Sequence, residues 1–196
     1  MNTKISVWAA ILTALTFLIY SIVQLVGYGL STGAINADSA GNLSSLIQFL
    51  SLNFKTLVSI LIISLILTTS LVYISFIILT KKVSSKLLKI SSYTILITNL
   101  VIWILILSVY ISPLIYSSIN IPANKAEAFL GIAEMFFGIA LIKFKKQKSP
   151  LLFSLGILFI LQGLTLFTSP FLPIRIVDFT IALNVLEAVF FSKLIR

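Results

Sequence analysis

A chain of 196 residues that is 59% hydrophobic and only 10% charged is too apolar for a soluble domain. Its net charge of +9 does not indicate nucleic-acid binding, because lysines between apolar segments orient membrane proteins and contact anionic headgroups. Cysteine and histidine are both absent, which excludes disulfides, thiol chemistry and histidine-dependent metal or catalytic sites. The sequence therefore predicts an all-α integral membrane protein, for which we expect no cofactor and no metal.

Six apolar segments are long enough to cross a bilayer, whose hydrocarbon core needs about 20 helical residues. The first segment is longer than the apolar core of a signal peptide, about 7–15 residues, so we expect it to be retained. Glycines, prolines and lysines set the approximate ends of each segment. The predicted spans cover 5–30, 56–80, 90–111, 124–144, 150–167 and 173–192, and together they form one bundle, a single domain over residues 1–196.

Residues 42–54 lie in the longest connection, between the first and second spans, and have a different pattern. Their apolar residues recur at helical spacing among serines and a glutamine: Leu43, Leu46, Ile47, Leu50 and Phe54. This pattern predicts a short amphipathic helix on the outer face of the membrane. A gating or lid element over the bundle is the alternative.

Basic residues fall mainly on one side of the predicted spans. Of the fourteen, eleven lie on one side and three on the other. The eleven are Lys4, Lys81, Lys82, Lys86, Lys89, Lys143, Lys145, Lys146, Lys148, Lys193 and Arg196, and the three are Lys55, Lys125 and Arg175. Because lysine and arginine concentrate in cytoplasmic loops, we expect a multi-pass protein of the cell membrane with both termini in the cytoplasm. The lysine-rich loops are expected to contact anionic lipid headgroups.

Two acidic residues near predicted span ends have structural explanations. Glu127 lies three residues after Asn124, which is the spacing of a capping box at a helix N-terminus. Asp178 lies three residues after Arg175, where an ion pair and the helix dipole both favour a carboxylate. Neither residue is therefore predicted to act in a functional site.

Glu134 and Glu187 have no such explanation, because they fall near the middle of the fourth and sixth predicted spans. An ionisable side chain at that depth costs at least about 2.5–3.5 kcal/mol on insertion. Asn99, Gln162 and Asn184 lie at similar depth, so the sequence predicts a belt of amides and carboxyls across the bundle. With no basic residue at that depth, the carboxyls must be protonated, hydrogen-bonded to the amides, or charged beside water or a bound cation.

The fourth predicted span carries its acids and two glycines on one face. Glu127, Gly131, Glu134 and Gly138 recur there at spacings of four and three residues. Such a face must point into the bundle, where it either packs closely through the glycines or forms one wall of a cavity.

The positions of most tryptophans and tyrosines indicate structural roles. Trp8, Tyr20, Tyr28, Tyr110 and Tyr116 lie toward predicted span ends, where tryptophan and tyrosine anchor helices in the headgroup region. Trp103 lies deeper and is expected to pack against neighbouring helices.

Two functions fit the polar belt. The first is a small proton- or cation-linked transporter or channel whose midplane binding site comprises Glu134, Glu187, Asn184, Gln162 and Asn99. The second is a non-catalytic subunit or scaffold of a larger membrane complex, in which protonated glutamates only join helices by hydrogen bonds. The sequence leaves open whether the chain assembles as a homo-oligomer or with another membrane protein. It contains no protease, hydrolase or nucleotide-binding motif, so we expect no enzymatic activity.

Overall fold

The computed structural model describes residues 3–32, 44–82, 85–111, 116–143, 150–168 and 179–193. Within these ranges the regular structure consists of six α helices and contains no strand, which confirms the predicted all-α class. The helices are α1 Thr3–Ser31, α2 Ser44–Lys82, α3 Lys86–Ile111, α4 Tyr116–Ile142, α5 Pro150–Thr168 and α6 Thr180–Lys193.

Four of these helices, α1, α2, α3 and α5, are long and apolar enough to cross a membrane. The segments concerned are Lys4–Ser31, Ile47–Thr80, Lys86–Ile111 and Pro150–Thr168, with mean hydropathies between 2.1 and 2.5. Only 22% to 39% of an 18-residue apolar window in each of these helices is buried inside the protein, so most of that window faces outward, as contact with lipid requires. The other two helices differ, since α6 has 14 described residues and α4 carries three charged ones. Membrane insertion is therefore supported for four helices, and the count of six spans stays a prediction.

The six helices form a closed ring in chain order. Each helix packs against the next one along the chain, and α6 returns to pack against α1. The larger hydrophobic core joins the first half of α1 to the second half of α2, the first half of α3 and the second half of α4. Neighbouring helices therefore run in opposite directions. The end of the ring where α1, α3 and α5 begin is called the lysine-rich end, because Lys4, Lys86, Lys89, Lys143 and Lys193 lie there.

Residues 44–54 do not form a separate interfacial helix, so the prediction of one over residues 42–54 is wrong. They are the first turns of α2, which continues for 39 residues. The physical reason is that α2 contains no glycine or proline that would end a helix before the second apolar segment. The Phe54 ring packs over Gly27 of α1 and lies 6.4 Å from the Tyr110 ring of α3, which holds this part of α2 against the bundle.

Helix α4 begins at Tyr116, eight residues before its predicted start, and it continues through Pro122 near its N-terminal end. Asn124 consequently lies inside the helix and not at its N-cap. The predicted capping box of Asn124 and Glu127 is therefore wrong. The predicted pair of Arg175 and Asp178 lies outside the described residues.

Helices α4 and α5 approach each other through glycines. Gly131 faces Gly163 and Gly138 faces Gly156, and each pair brings backbone against backbone. A Cβ atom added to Gly163 would lie 2.5 Å from the carbonyl oxygen of Gly131, which leaves no room for a side chain. The glycines on the predicted inward face of α4 thus serve close packing, a common use of small residues between membrane helices.

A candidate binding cavity within the helix ring

The helix ring encloses a cavity of about 460 Å³, and side chains from all six helices line it. The five residues of the predicted belt all lie on its wall: Asn99 of α3, Glu134 of α4, Gln162 of α5, and Asn184 and Glu187 of α6. The sequence places these residues only by depth, and the structure brings them to one surface. Their role in binding stays a prediction.

The cavity wall has an acidic character. Glu127, Glu134 and Glu187 line it, and the described residues around it include no lysine or arginine. Only 5% of Glu134 and 2% of Glu187 is exposed, so both carboxyl groups are buried within the ring. Glu127 lies about two turns from Glu134 along α4, nearer the lysine-poor end. The inward face of α4 therefore combines both interpretations given by its sequence, because its glycines pack on α5 while its glutamates line the cavity.

Tyr73 of α2 links the carboxyls to the amides. The residue is buried, and its side chain lies near the carboxyls of both Glu134 and Glu187. Its hydroxyl also lies beside the side chain of Asn99. Tyr73 is not among the residues that the sequence predicts for the site. Its depth could have identified it in the sequence. Tyr73 lies well inside a predicted span, whereas interfacial tyrosines lie at span ends.

Gln162 fastens the start of α6 to α5. Its Oε1 atom accepts a hydrogen bond from the backbone N–H of Phe179 at 2.8 Å, and its Nε2 atom donates one to Thr180 Oγ1 at 3.1 Å. These bonds stabilise a helix start, where the first backbone N–H groups have no partner within the helix. Asn184 donates to the carbonyl oxygen of Thr180 at 2.7 Å, one turn earlier in α6. Gln162 thus has a structural role in the cavity wall, because it fixes the helix that carries Glu187.

Aromatic rings form the wall of the cavity on the side of α1 and α3. Tyr20 and Trp103 both line it, and their rings meet edge to face at 5.7 Å. Phe17 lies on the same wall, 6.3 Å from the Tyr20 ring. The sequence assigns Tyr20 to interfacial anchoring and Trp103 to packing alone, and the structure adds a cavity surface to both. On a helix that is apolar on every side, the sequence pattern does not indicate which side chains face the centre of the bundle.

Five phenylalanines close the ring between the cavity and the lysine-rich end. Phe76 is fully buried at their centre, and its ring centroid lies 5.0 to 6.4 Å from the other four. The five residues, here called the phenylalanine plug, are Phe76, Phe137, Phe159, Phe190 and Phe191. Phe159 also lines the cavity, so the plug forms its floor.

The donor set of the cavity limits what it could hold. Among the described residues, no group of three or more histidine, cysteine, aspartate or glutamate side chains is placed to bind a metal ion. No protein-family model matches the chain, and neither a curated protein nor a solved structure matches it. The chemistry of the cavity is therefore the basis for a functional proposal.

Proposed function

We propose that the chain is a proton- or cation-linked transporter or channel with six membrane spans, whose binding site is the central cavity. The observation that supports this most directly is the meeting of Glu134, Glu187, Asn184, Gln162 and Asn99 in one cavity. These residues come from four helices, and cavity-lining residues are the ones that a permeating ion would contact.

The acidic wall favours a positively charged substrate. A carboxylate within a membrane is costly to maintain, and either a proton or a bound cation lowers that cost. Because the described wall carries carboxyls and no basic side chain, anions would be repelled from the cavity. Tyr73 and Asn99 supply polar atoms beside the carboxyls, where they can hydrogen-bond a substrate or the water that accompanies it.

We further propose that the lysine-rich end of the ring faces the cytoplasm, with both termini on that side of the cell membrane. The cavity then extends from the phenylalanine plug toward the external side, and substrate enters from there. Release into the cytoplasm requires the plug to separate, which makes the plug the internal gate. Movement of packed helices by a small distance is a common way to open such a barrier.

A flux measurement with charge-neutral variants tests this function. The full chain is reconstituted into vesicles, and uptake driven by a cation or proton gradient is followed with a fluorescent indicator. Glu134→Gln is expected to abolish flux, because it removes a charge from the cavity with almost no change in side-chain volume. Lys125→Gln is the control, since Lys125 is exposed on the same helix and does not line the cavity.

Equal flux in the wild-type protein and Glu134→Gln would remove this residue from the mechanism. Absence of flux from the wild-type protein, together with a stoichiometric membrane partner that copurifies in mild detergent, would instead support a non-catalytic subunit. Size-exclusion profiles of both variants establish that each protein is folded before flux is compared.

A further inference from the structure

The size of the cavity indicates which class of substrate it could hold. This inference rests on the proposed function and extends it to the substrate. Its volume is about 460 Å³. A water molecule occupies about 30 Å³ in the liquid, so the space corresponds to on the order of 15 waters. One proton or one inorganic ion needs far less, whereas small-molecule sites commonly occupy about 300–1,000 Å³.

The lining of the cavity also differs from that of an inorganic-ion site. Hard cations are held by oxygen ligands on every side. Here the carboxyls are grouped with Tyr73, while much of the remaining wall is aliphatic or aromatic. Leu65, Ile102 and Leu183 are among the aliphatic residues on the wall. Such a surface suits a substrate that has an apolar body as well as a charge.

The aromatic wall supplies a second attraction for positive charge. Phe17, Tyr20 and Trp103 lie on one side of the cavity, and Phe159 forms part of its floor. The face of an aromatic ring attracts a cation within about 6 Å, and tryptophan does so best. Apolar groups of the same ligand also pack favourably on these rings.

We propose that the cavity binds a lipophilic organic cation, an ammonium or phosphonium group carrying apolar substituents. Its positive centre lies beside Glu134 and Glu187, and its substituents contact the aromatic wall formed by Phe17, Tyr20 and Trp103. The carboxyls give the site its preference for cations, and the volume and the rings give it its preference for organic ones.

The two tryptophans of the chain allow a direct binding assay. Trp103 lines the cavity, whereas Trp8 is 64% exposed on the outer surface of α1. In the full-length Trp8→Phe variant, Trp103 is the sole tryptophan and reports on the cavity. The variant is titrated in detergent with tetraphenylphosphonium, and a saturable change in fluorescence is expected. In Trp103→Phe the remaining Trp8 is expected to show only the non-saturable change that follows partition of the probe into the micelle.

Charge variants then identify the contact with the positive centre. In the Trp8→Phe background, Glu134→Gln is expected to weaken tetraphenylphosphonium binding by about 30-fold or more, because one partner of a buried charge pair is lost. Glu134→Asp keeps the charge and is expected to retain binding close to that of the parent. Lys125→Gln is the matched surface control and should leave the affinity unchanged. If Glu134→Gln fails to fold, Glu187→Gln takes its place.

The outcomes separate this inference from the proposed function. Saturable binding that depends on Glu134 supports the inference. Absence of tetraphenylphosphonium binding, together with Glu134-dependent flux of protons or inorganic cations in vesicles, would overturn the inference and leave the proposed function standing. Absence of both binding and flux would overturn both, and saturable binding that is unchanged in Glu134→Gln and Glu187→Gln would overturn the assigned contact.

Discussion

The two halves of the helix ring are built from the same helices but are filled differently. Toward the lysine-rich end, the phenylalanine plug fills the centre, and each of its rings is at most 5% exposed. Toward the other end, polar and aromatic side chains stand around an open volume of about 460 Å³. The comparison shows that the helices themselves do not close the ring. Phenylalanine rings fill the centre of the ring toward the lysine-rich end, whereas the side chains toward the other end surround an open cavity.

The largest effect is expected from opening the filled half. Phe137→Ala removes a fully buried ring that lies 5.1 Å from the Phe76 ring and 4.7 Å from the Phe159 ring. Deleting a buried aromatic side chain typically costs about 3–5 kcal/mol of unfolding free energy. We expect that loss in a denaturant titration in detergent, together with an ion leak in vesicles.

The adjacent Phe136→Ala is the matched control for this experiment, because Phe136 is 51% exposed on the outer face of the same helix. It should leave both the unfolding free energy and the vesicle leak close to wild type. A tight vesicle containing folded Phe137→Ala protein would show that the plug is not the barrier.

A smaller loss of stability is expected from substituting either of two glycines that lie at different levels of the ring. Gly163 packs on α4 beside cavity residues Glu134 and Gln162, whereas Gly156 packs on α4 nearer the plug. Alanine at either position forces the helices apart, because the added Cβ would meet backbone atoms. We expect each variant to lose about 1–3 kcal/mol of unfolding free energy.

The functional consequences of the two glycine variants should differ. Gly163→Ala should alter tetraphenylphosphonium affinity, and Gly156→Ala should increase vesicle leak. If both variants change the same property, the two halves of the ring are not independent, and the comparison between them fails.

A smaller effect is expected inside the open half. Tyr73→Phe keeps the buried ring and removes the hydroxyl that lies beside Asn99 and near Glu134 and Glu187. One polar contact beside the carboxyls is worth about 0.5–1.5 kcal/mol net, so its loss should change the affinity for a bound cation by roughly 2- to 10-fold. Titration of the Trp8→Phe background with and without Tyr73→Phe measures this change. Tyr93→Phe is the matched control, because Tyr93 is exposed and does not line the cavity.

The features predictable from sequence were those that depend on composition and on depth. Apolar length predicts helices, and the depth of Glu134 and Asn99 places them in one layer. Depth is a single coordinate, however, and it does not say which side of a helix faces the centre. Tyr73 and Phe76 lie on an apolar helix with no strong amphipathic pattern, so their inward direction follows only from contacts with other helices.

Short sequence motifs gave wrong predictions at two positions where a longer helix continues through the motif. Asn124 and Glu127 have the spacing of a helix start, but the helix extends upstream and Glu127 lines the cavity. The amphipathic pattern of residues 44–54 is real, but it belongs to the beginning of α2. In both cases the helix continues across the predicted end of the element. A short motif does not indicate whether the helix continues beyond it.

The length of α2 has a mechanical consequence. Phe54 is held near one end of this helix by Gly27 and Tyr110, and Phe76 lies at the centre of the plug, 22 residues further on. At 1.5 Å per residue that separation is about 33 Å. Neither glycine nor proline lies between them, so no kink of that origin is expected in this stretch of α2. A tilt of α2 imposed at Phe54 would therefore be transmitted along the helix to Phe76, so the first turns of α2 are coupled to the phenylalanine plug.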